Sequence, residues 1–225
     1  VDNELLFDLL NKITNKNANK EYYLTDIVEL ASSQNYSIKT VICDEYETMG
    51  INTRLELSKA EQVFQDKARS ITTENGVTLI QPGTIYFSFD TEIGRDAYIG
   101  PNVVFGLGVT VESGAKIYPF CHLEGCHISK GAQVGPFARL RPGTELSEYV
   151  KIGNFVEVKN STVSKGSKVN HLSYIGDASI GENSNIGAGT VTCNYDGVNK
   201  YHTKIGDEVL NFKGDNLAIK IDVEG

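Results

Sequence analysis

The sequence predicts a mainly β fold, a parallel β-helix built on a six-residue period, preceded by a small α/β segment and a linker helix. Three observations predict it. Between Ile93 and Thr192, large apolar residues stand at 93, 99, 105, 111, 117, 123, 128, 134, 140, 146, 152, 158, 163, 169, 175, 180 and 186, in steps of six interrupted by three steps of five. The fourth residue after each of them is small, from Ala97 and Val103 to Ser184 and Thr190, with His127 as the exception. The hairpin signals that an antiparallel sandwich requires are missing from this run. A bulky residue followed four places later by a small one fits a short strand and a tight corner. Three such strands make one triangular coil, and coils stacked about 4.8 Å apart bury a continuous aliphatic column.

Ahead of the repeats the periodicity is helical. Leu5, Leu6, Leu9, Leu10 and Ile13 share one face of a helix. Thr25 is placed to start a second helix, running to about Ser33. A short strand is expected over Ser37 to Cys43. Asn52 to Ala68 is rich in Leu, Glu, Lys, Ala and Gln and lacks Gly and Pro, which favours one charged helix serving as an arm.

The 225 residues suffice for one domain or two, and 40% apolar with 22% charged residues is globular composition. A net charge of -8 leaves no basic excess to displace counterions from phosphate backbones, which excludes a general nucleic-acid or acidic-membrane binder. Cys43, Cys121, Cys126 and Cys193 form no C-x-x-C pair, so reduced thiols in a cytoplasm are expected. The apolar runs are too short to span a membrane, and Asp2 and Glu4 stand where a signal peptide would be basic. Beginning at Val1, the sequence reads as lacking an upstream portion.

The repeat also positions charged residues. With three strands per coil, Leu140, Val158, Ile175 and Thr192 fall on one face. Arg141 and Lys159 each follow one of them directly, so two cations stand one coil apart. Such a pair repels unless an anion such as phosphate bridges it. Tyr174 lies on the same face, and His171, able to accept a proton near neutral pH, precedes it by three residues. Cys193 to Lys204 leaves the period as an inserted loop, and insertions in repeat proteins tend to gather on the functional face.

Four segments carry a specific resemblance: Phe137-Ala138-Arg139-Leu140-Arg141-Pro142-Gly143, Ile152-Gly153-Asn154-Phe155-Val156-Glu157-Val158-Lys159, His171-Leu172-Ser173-Tyr174-Ile175-Gly176-Asp177, and Asn185-Ile186-Gly187-Ala188-Gly189-Thr190-Val191-Thr192-Cys193-Asn194-Tyr195-Asp196-Gly197. Together they resemble the bacterial bifunctional family that joins an N-acetylglucosamine-1-phosphate uridylyltransferase to a trimeric glucosamine-1-phosphate N-acetyltransferase. Glu21 to Asp26 and Gly50 to Leu55 are similar to the end of its first domain. The resemblance implies a left-handed coil. It also implies three parts: 1–54 as the end of the uridylyltransferase domain, 55–75 as a linker helix, and 76–225 as the acetyltransferase β-helix with an irregular tail after 209.

Carried over, His171 would be the general base for attack of the sugar amine on acetyl-CoA. Arg141 and Lys159 would hold the phosphate of glucosamine 1-phosphate, with Tyr174 and Asn185 on the sugar. Ala188, Asn194, Tyr195 and Lys200 would line an acetyl-CoA groove shared between subunits of a homotrimer. Asn52 matches a magnesium ligand of the uridylyl-transfer site. The Gly-rich loop and aspartate of that site would lie upstream of Val1, so the chain alone is expected not to make UDP-N-acetylglucosamine. Leu210 to Gly225 gives Asn211 and Leu217 at the repeat positions and reads as a truncated or altered tail. Two alternatives stand beside this reading. One is an inactive or assembly-only remnant; the other is a γ-type zinc carbonic anhydrase, suggested by the H-x4-H spacing of His122 and His127.

Overall fold

A computed structural model describes residues 2–210. The chain divides into two units, Val1–Gly50 and Ile51–Gly225. In the first, helices α1 (Asn3–Leu10) and α2 (Asp26–Ser33) pack together, with Leu9 and Ala31 buried. Asp2 caps α1 by accepting from the Glu4 and Leu5 amides. The strand expected over 37–43 does not form. A strand needs a ladder partner, and the described residues of this unit contain none; Val41 and Ile42 stand 86% and 94% exposed.

The second unit opens with helix α3, Arg54–Glu74, which exceeds the predicted 52–68 by about a turn and a half at its C-terminal end. Thr53 and Glu56 form a reciprocal capping box at its start. At its other end Gly76 takes φ +89°, which only glycine adopts without strain. Gln65 is buried on α3 and binds one residue of the first coil twice: Nε2 donates to the Phe87 carbonyl at 2.7 Å, and Oε1 accepts from the Phe87 amide at 2.9 Å. Arg69 donates through Nε and Nη2 to the Ile85 carbonyl. The helix thereby closes the open end of the hydrophobic column, which a solenoid must otherwise leave to water.

From Thr78 onward the chain is a parallel β-helix of three faces. Face A runs in seven strands from Thr78–Leu79 to Asn185–Ile186, face B in five from Val104–Phe105 to Tyr174–Gly176, and face C in seven from Glu92–Ile93 to Thr203–Ile205. Every ladder between them is parallel, and the apolar repeat positions pair in register, as in Ile99↔Ile117↔Val134↔Ile152↔Val169↔Ile186. These residues are buried in one continuous core. The first coil begins earlier than the Ile93 repeat, because Val77, Ile85 and Phe87 already join that core.

The small-residue rule holds for the six-residue steps and shifts for the five-residue ones. There the buried small residue is the third after the anchor, Cys126, Ser161 or Ala178, while His127, Thr162 and Ser179 face outward. The missing residue is lost from the corner between faces B and C, so everything after it moves up one place. Gly125, Asn160 and Asp177 make these shortened corners at φ +52°, +44° and +48°. Asn and Asp tolerate this left-handed region better than other side chains.

At the corner between faces A and B, Phe120, Phe137 and Phe155 also take positive φ. Their rings stack at 4.8 and 5.3 Å, which offsets part of the backbone cost. In the later coils the inward small positions become hydroxyls, and each finds a carbonyl. Thr144 Oγ1 donates to Arg141 O at 2.7 Å, Ser161 Oγ to Lys159 O at 2.7 Å, and Ser173 Oγ to His171 O at 2.8 Å. Among the described residues no helix is long and apolar enough to cross a membrane.

Candidate functional site

His171 ends the face A strand Lys168–His171, where the chain turns toward face B. The register sets it opposite Asn154 on the coil below, and its Nδ1 lies 2.6 Å from Asn154 Oδ1. An amide oxygen only accepts, so Nδ1 is the donor and, in the neutral imidazole, Nε2 carries the lone pair. Two residues beyond the Val169↔Ile186 pair, the same column reaches Ala188 on the coil above, and both His171 and Ala188 are exposed. The amide of the next residue, Gly189, donates to the His171 carbonyl.

Arg141 and Lys159 stack on face B as their places one after Leu140 and Val158 require. The Arg141 amide donates to the Val158 carbonyl at 2.8 Å. The expected unrelieved cation pair is corrected by Glu157: its Oε1 lies 2.9 Å from Arg141 Nη1, both side chains being about one third exposed. Glu157 is two residues before Lys159, hence on the same side of the strand and diagonal to Arg141. Lys159 makes no ion pair among the described residues, but its charge reaches Asp177.

Tyr174 is the Cα partner of Glu157. Its ring lies back over Gly176, where a Cβ would stand 2.5 Å from Tyr174 Oη. Face B thus gathers Arg141, Lys159, Glu157 and Tyr174. Asn185 lies on face A instead, paired with Lys168.

The insertion after Thr192 is a small antiparallel hairpin. Tyr195 bridges Lys200, the Asp196 carboxylate accepts from the Val198 and Asn199 amides at 2.8 and 2.7 Å, and the Tyr201 hydroxyl donates to it at 2.8 Å. Those bonds hold the Asp196 carboxyl below its usual range. Tyr195 and Lys200 are exposed, while Asn194 is buried and donates to Asp177. Burial pushes the Asp177 carboxyl up, but hydrogen bonds from Asn160 and Asn194 and the charges of Lys200 and Lys159 outweigh it, leaving it below the ordinary aspartate range.

Asn154, Glu157 and Asp177 were absent from the sequence-derived set. The register could have found Asn154, one coil before His171, and placed Glu157 on the side of the strand that carries Lys159, though not its pairing with Arg141.

Asn52 precedes α3, exposed, with its amide bound by Glu56. Among the described residues no group of three or more His, Cys, Asp or Glu side chains is placed to hold a metal ion. The zinc alternative is not favoured. His122 lies on face B and His127 on face C, and both His127 nitrogens face carboxylates, Glu112 at 2.9 Å and Glu145 at 3.2 Å. The expectations at Asn211 and Leu217 lie outside the described residues.

Residues 122–211 match the family model described as the GMPPB C-terminal domain. The chain is 59% identical over 219 residues to the bifunctional protein GlmU of Roseobacter denitrificans, covering 97% of this chain and 48% of that protein. To the bifunctional protein GlmU of Paracoccus denitrificans it is 63% identical over 205 residues, covering 91% and 46%. The chain therefore spans about half the length of the curated relatives it matches. Among solved structures, the acetyltransferase domain of PglB from Neisseria gonorrhoeae FA1090 in complex with acetyl coenzyme A aligns at 18% identity over 72% of this chain and 88% of that one. Its TM-score of 0.44 is too low to bear on function.

Proposed function

Since the chain is a relative of the bifunctional GlmU proteins across the half of their length that it spans, we propose that it transfers the acetyl group of acetyl-CoA to the amine of glucosamine 1-phosphate. The product, N-acetylglucosamine 1-phosphate, is the precursor of UDP-N-acetylglucosamine. The observation that carries this reading is the Asn154–His171 pair, which engages Nδ1 of an exposed imidazole and turns Nε2 into the basic nitrogen of the neutral ring.

His171 takes a proton from the sugar amine as the nitrogen attacks the thioester carbonyl; the C–S bond then breaks and coenzyme A leaves. Arg141 and Lys159 hold the sugar phosphate. Arg141 keeps N–H groups available for this because Glu157 engages only Nη1. Tyr174 and Asn185 contact the sugar. Ala188, Asn194, Tyr195 and Lys200 line the donor groove, completed by a neighbouring subunit of a homotrimer in the cytoplasm. Residues 1–54 correspond to the end of the uridylyltransferase domain, 55–75 to the linker and 76–225 to the acetyltransferase. The magnesium-dependent uridylyl transfer draws no support from Asn52 alone, and no step is assigned to it.

The test is acetyl-CoA-dependent loss of the primary amine of glucosamine 1-phosphate, followed on the chain and on His171→Ala. Turnover that disappears in the variant supports the reading. Absence of turnover in the unaltered chain overturns it.

A further inference from the structure

Asp177 holds both ends of the 193–202 insertion. The residue is 7% exposed at a shortened corner between faces B and C. Both carboxylate oxygens are used: Oδ1 accepts from Asn160 Nδ2 at 2.5 Å, and Oδ2 accepts from Asn194 Nδ2. Its backbone repeats the pattern, the amide donating to the Lys159 carbonyl at 3.1 Å and the carbonyl accepting from the Thr203 amide at 2.9 Å. One residue therefore binds the coil below through Lys159 and Asn160, and the coil above through Asn194, where the insertion starts, and Thr203, where it has ended. The Tyr201 amide closes the neck on the Asn194 carbonyl at 2.9 Å.

The corner itself does not demand a carboxylate. The other two shortened corners are made by Gly125 at φ +52° and Asn160 at φ +44°, and either type satisfies the turn. A buried carboxylate is costly unless donors face both oxygens, and here two amides do.

We propose that Asp177 is a positioning residue of the donor site, seating through Asn194 the hairpin that presents Tyr195 and Lys200 above the cation face of Arg141 and Lys159. It rests on the acetyl-transfer reading for its kinetic consequence and on the hydrogen bonds alone for its structural one.

The experiment uses the full chain with Asp177→Gly, which keeps the shortened left-handed corner as Gly125 does and removes the carboxymethyl side chain. Asp177→Asn serves as the conservative variant, since Asn194 can turn its amide to meet the new donor. In the glycine variant the Tyr201 and Thr203 amides are expected to exchange with deuterium at least tenfold faster, on the order of the loss of one charge-assisted hydrogen bond, with the Ile152 and Val169 amides unmoved. The KM for acetyl-CoA is expected to rise by a similar factor while that for glucosamine 1-phosphate changes little, and the asparagine variant is expected to restore much of both effects. Unchanged exchange at the neck overturns the proposal, as does an equal rise of both KM values. A silent unaltered chain counts against acetyl transfer alone, and the exchange measurement then decides the role of Asp177.

Discussion

His171 and Asn154 are Cα partners on neighbouring coils, and the 2.6 Å contact between Nδ1 and Oδ1 selects the imidazole tautomer. Removing His171 should lower turnover by roughly 10²–10⁴, the usual contribution of a general base. Asn154→Ala keeps the base and loses only its orientation, so a drop in kcat of roughly tenfold with little change in KM is expected. Steady-state kinetics of amine consumption check both, and an Asn154→Ala enzyme with unaltered kcat would remove the tautomer argument.

Gln65→Leu tests the closure of the column by α3. The substitution keeps the volume and strands both polar groups of Phe87, each of which costs about 1–3 kcal/mol when buried without a partner. Chemical denaturation should show a loss of about 2 kcal/mol or more. A variant as stable as the parent would mean that water reaches Phe87 freely.

Thiol alkylation should divide the four cysteines into pairs. Burial raises the Cys121 thiol to about 11 and the Cys126 thiol to about 12, so both are protonated and enclosed at neutral pH. Cys43 and Cys193 are exposed. Mass spectrometry after brief treatment with iodoacetamide should find label on Cys43 and Cys193, with Cys121 and Cys126 reacting only after denaturation.

The neck of the hairpin should resist acid until late. Asp177 has a folded pKa below its ordinary 3.8, so its contribution is fully present above the unfolded value and is lost as pH falls through the lower folded value. Protection of the Tyr201 and Thr203 amides, corrected for the intrinsic pH dependence of exchange, should hold from neutrality to about pH 4 and fall below it. Protection already lost near pH 5 would assign the neck to other groups.

The repeat made most of the β-helix legible before any coordinates, because each inward position is set by a local rule, bulk at the anchor and smallness at the corner. It misplaced His127, Thr162 and Ser179 because a fixed offset cannot say from which corner a residue has been dropped. Arg141, Lys159 and Tyr174 were legible as one face. The Arg141–Glu157 pair was not, because diagonal contacts depend on side-chain direction as well as on Cα register. Gln65 gave no signal at all: a polar residue in a charged helix looks solvated until the backbone it covers is known. The 37–43 segment has strand composition, yet composition supplies no hydrogen-bond partner.

The shortened corners carry one more consequence. A residue lost at Gly125, Asn160 or Asp177 leaves the strands before and after it still stacked on their neighbours, as the unbroken ladders of faces B and C demonstrate. Length is therefore a freely adjustable quantity at the vertices of this architecture and a fixed one along its edges. Gaps between the chain and its relatives should collect at the vertices, so that natural variation in length leaves the groups standing on the edges in their mutual alignment.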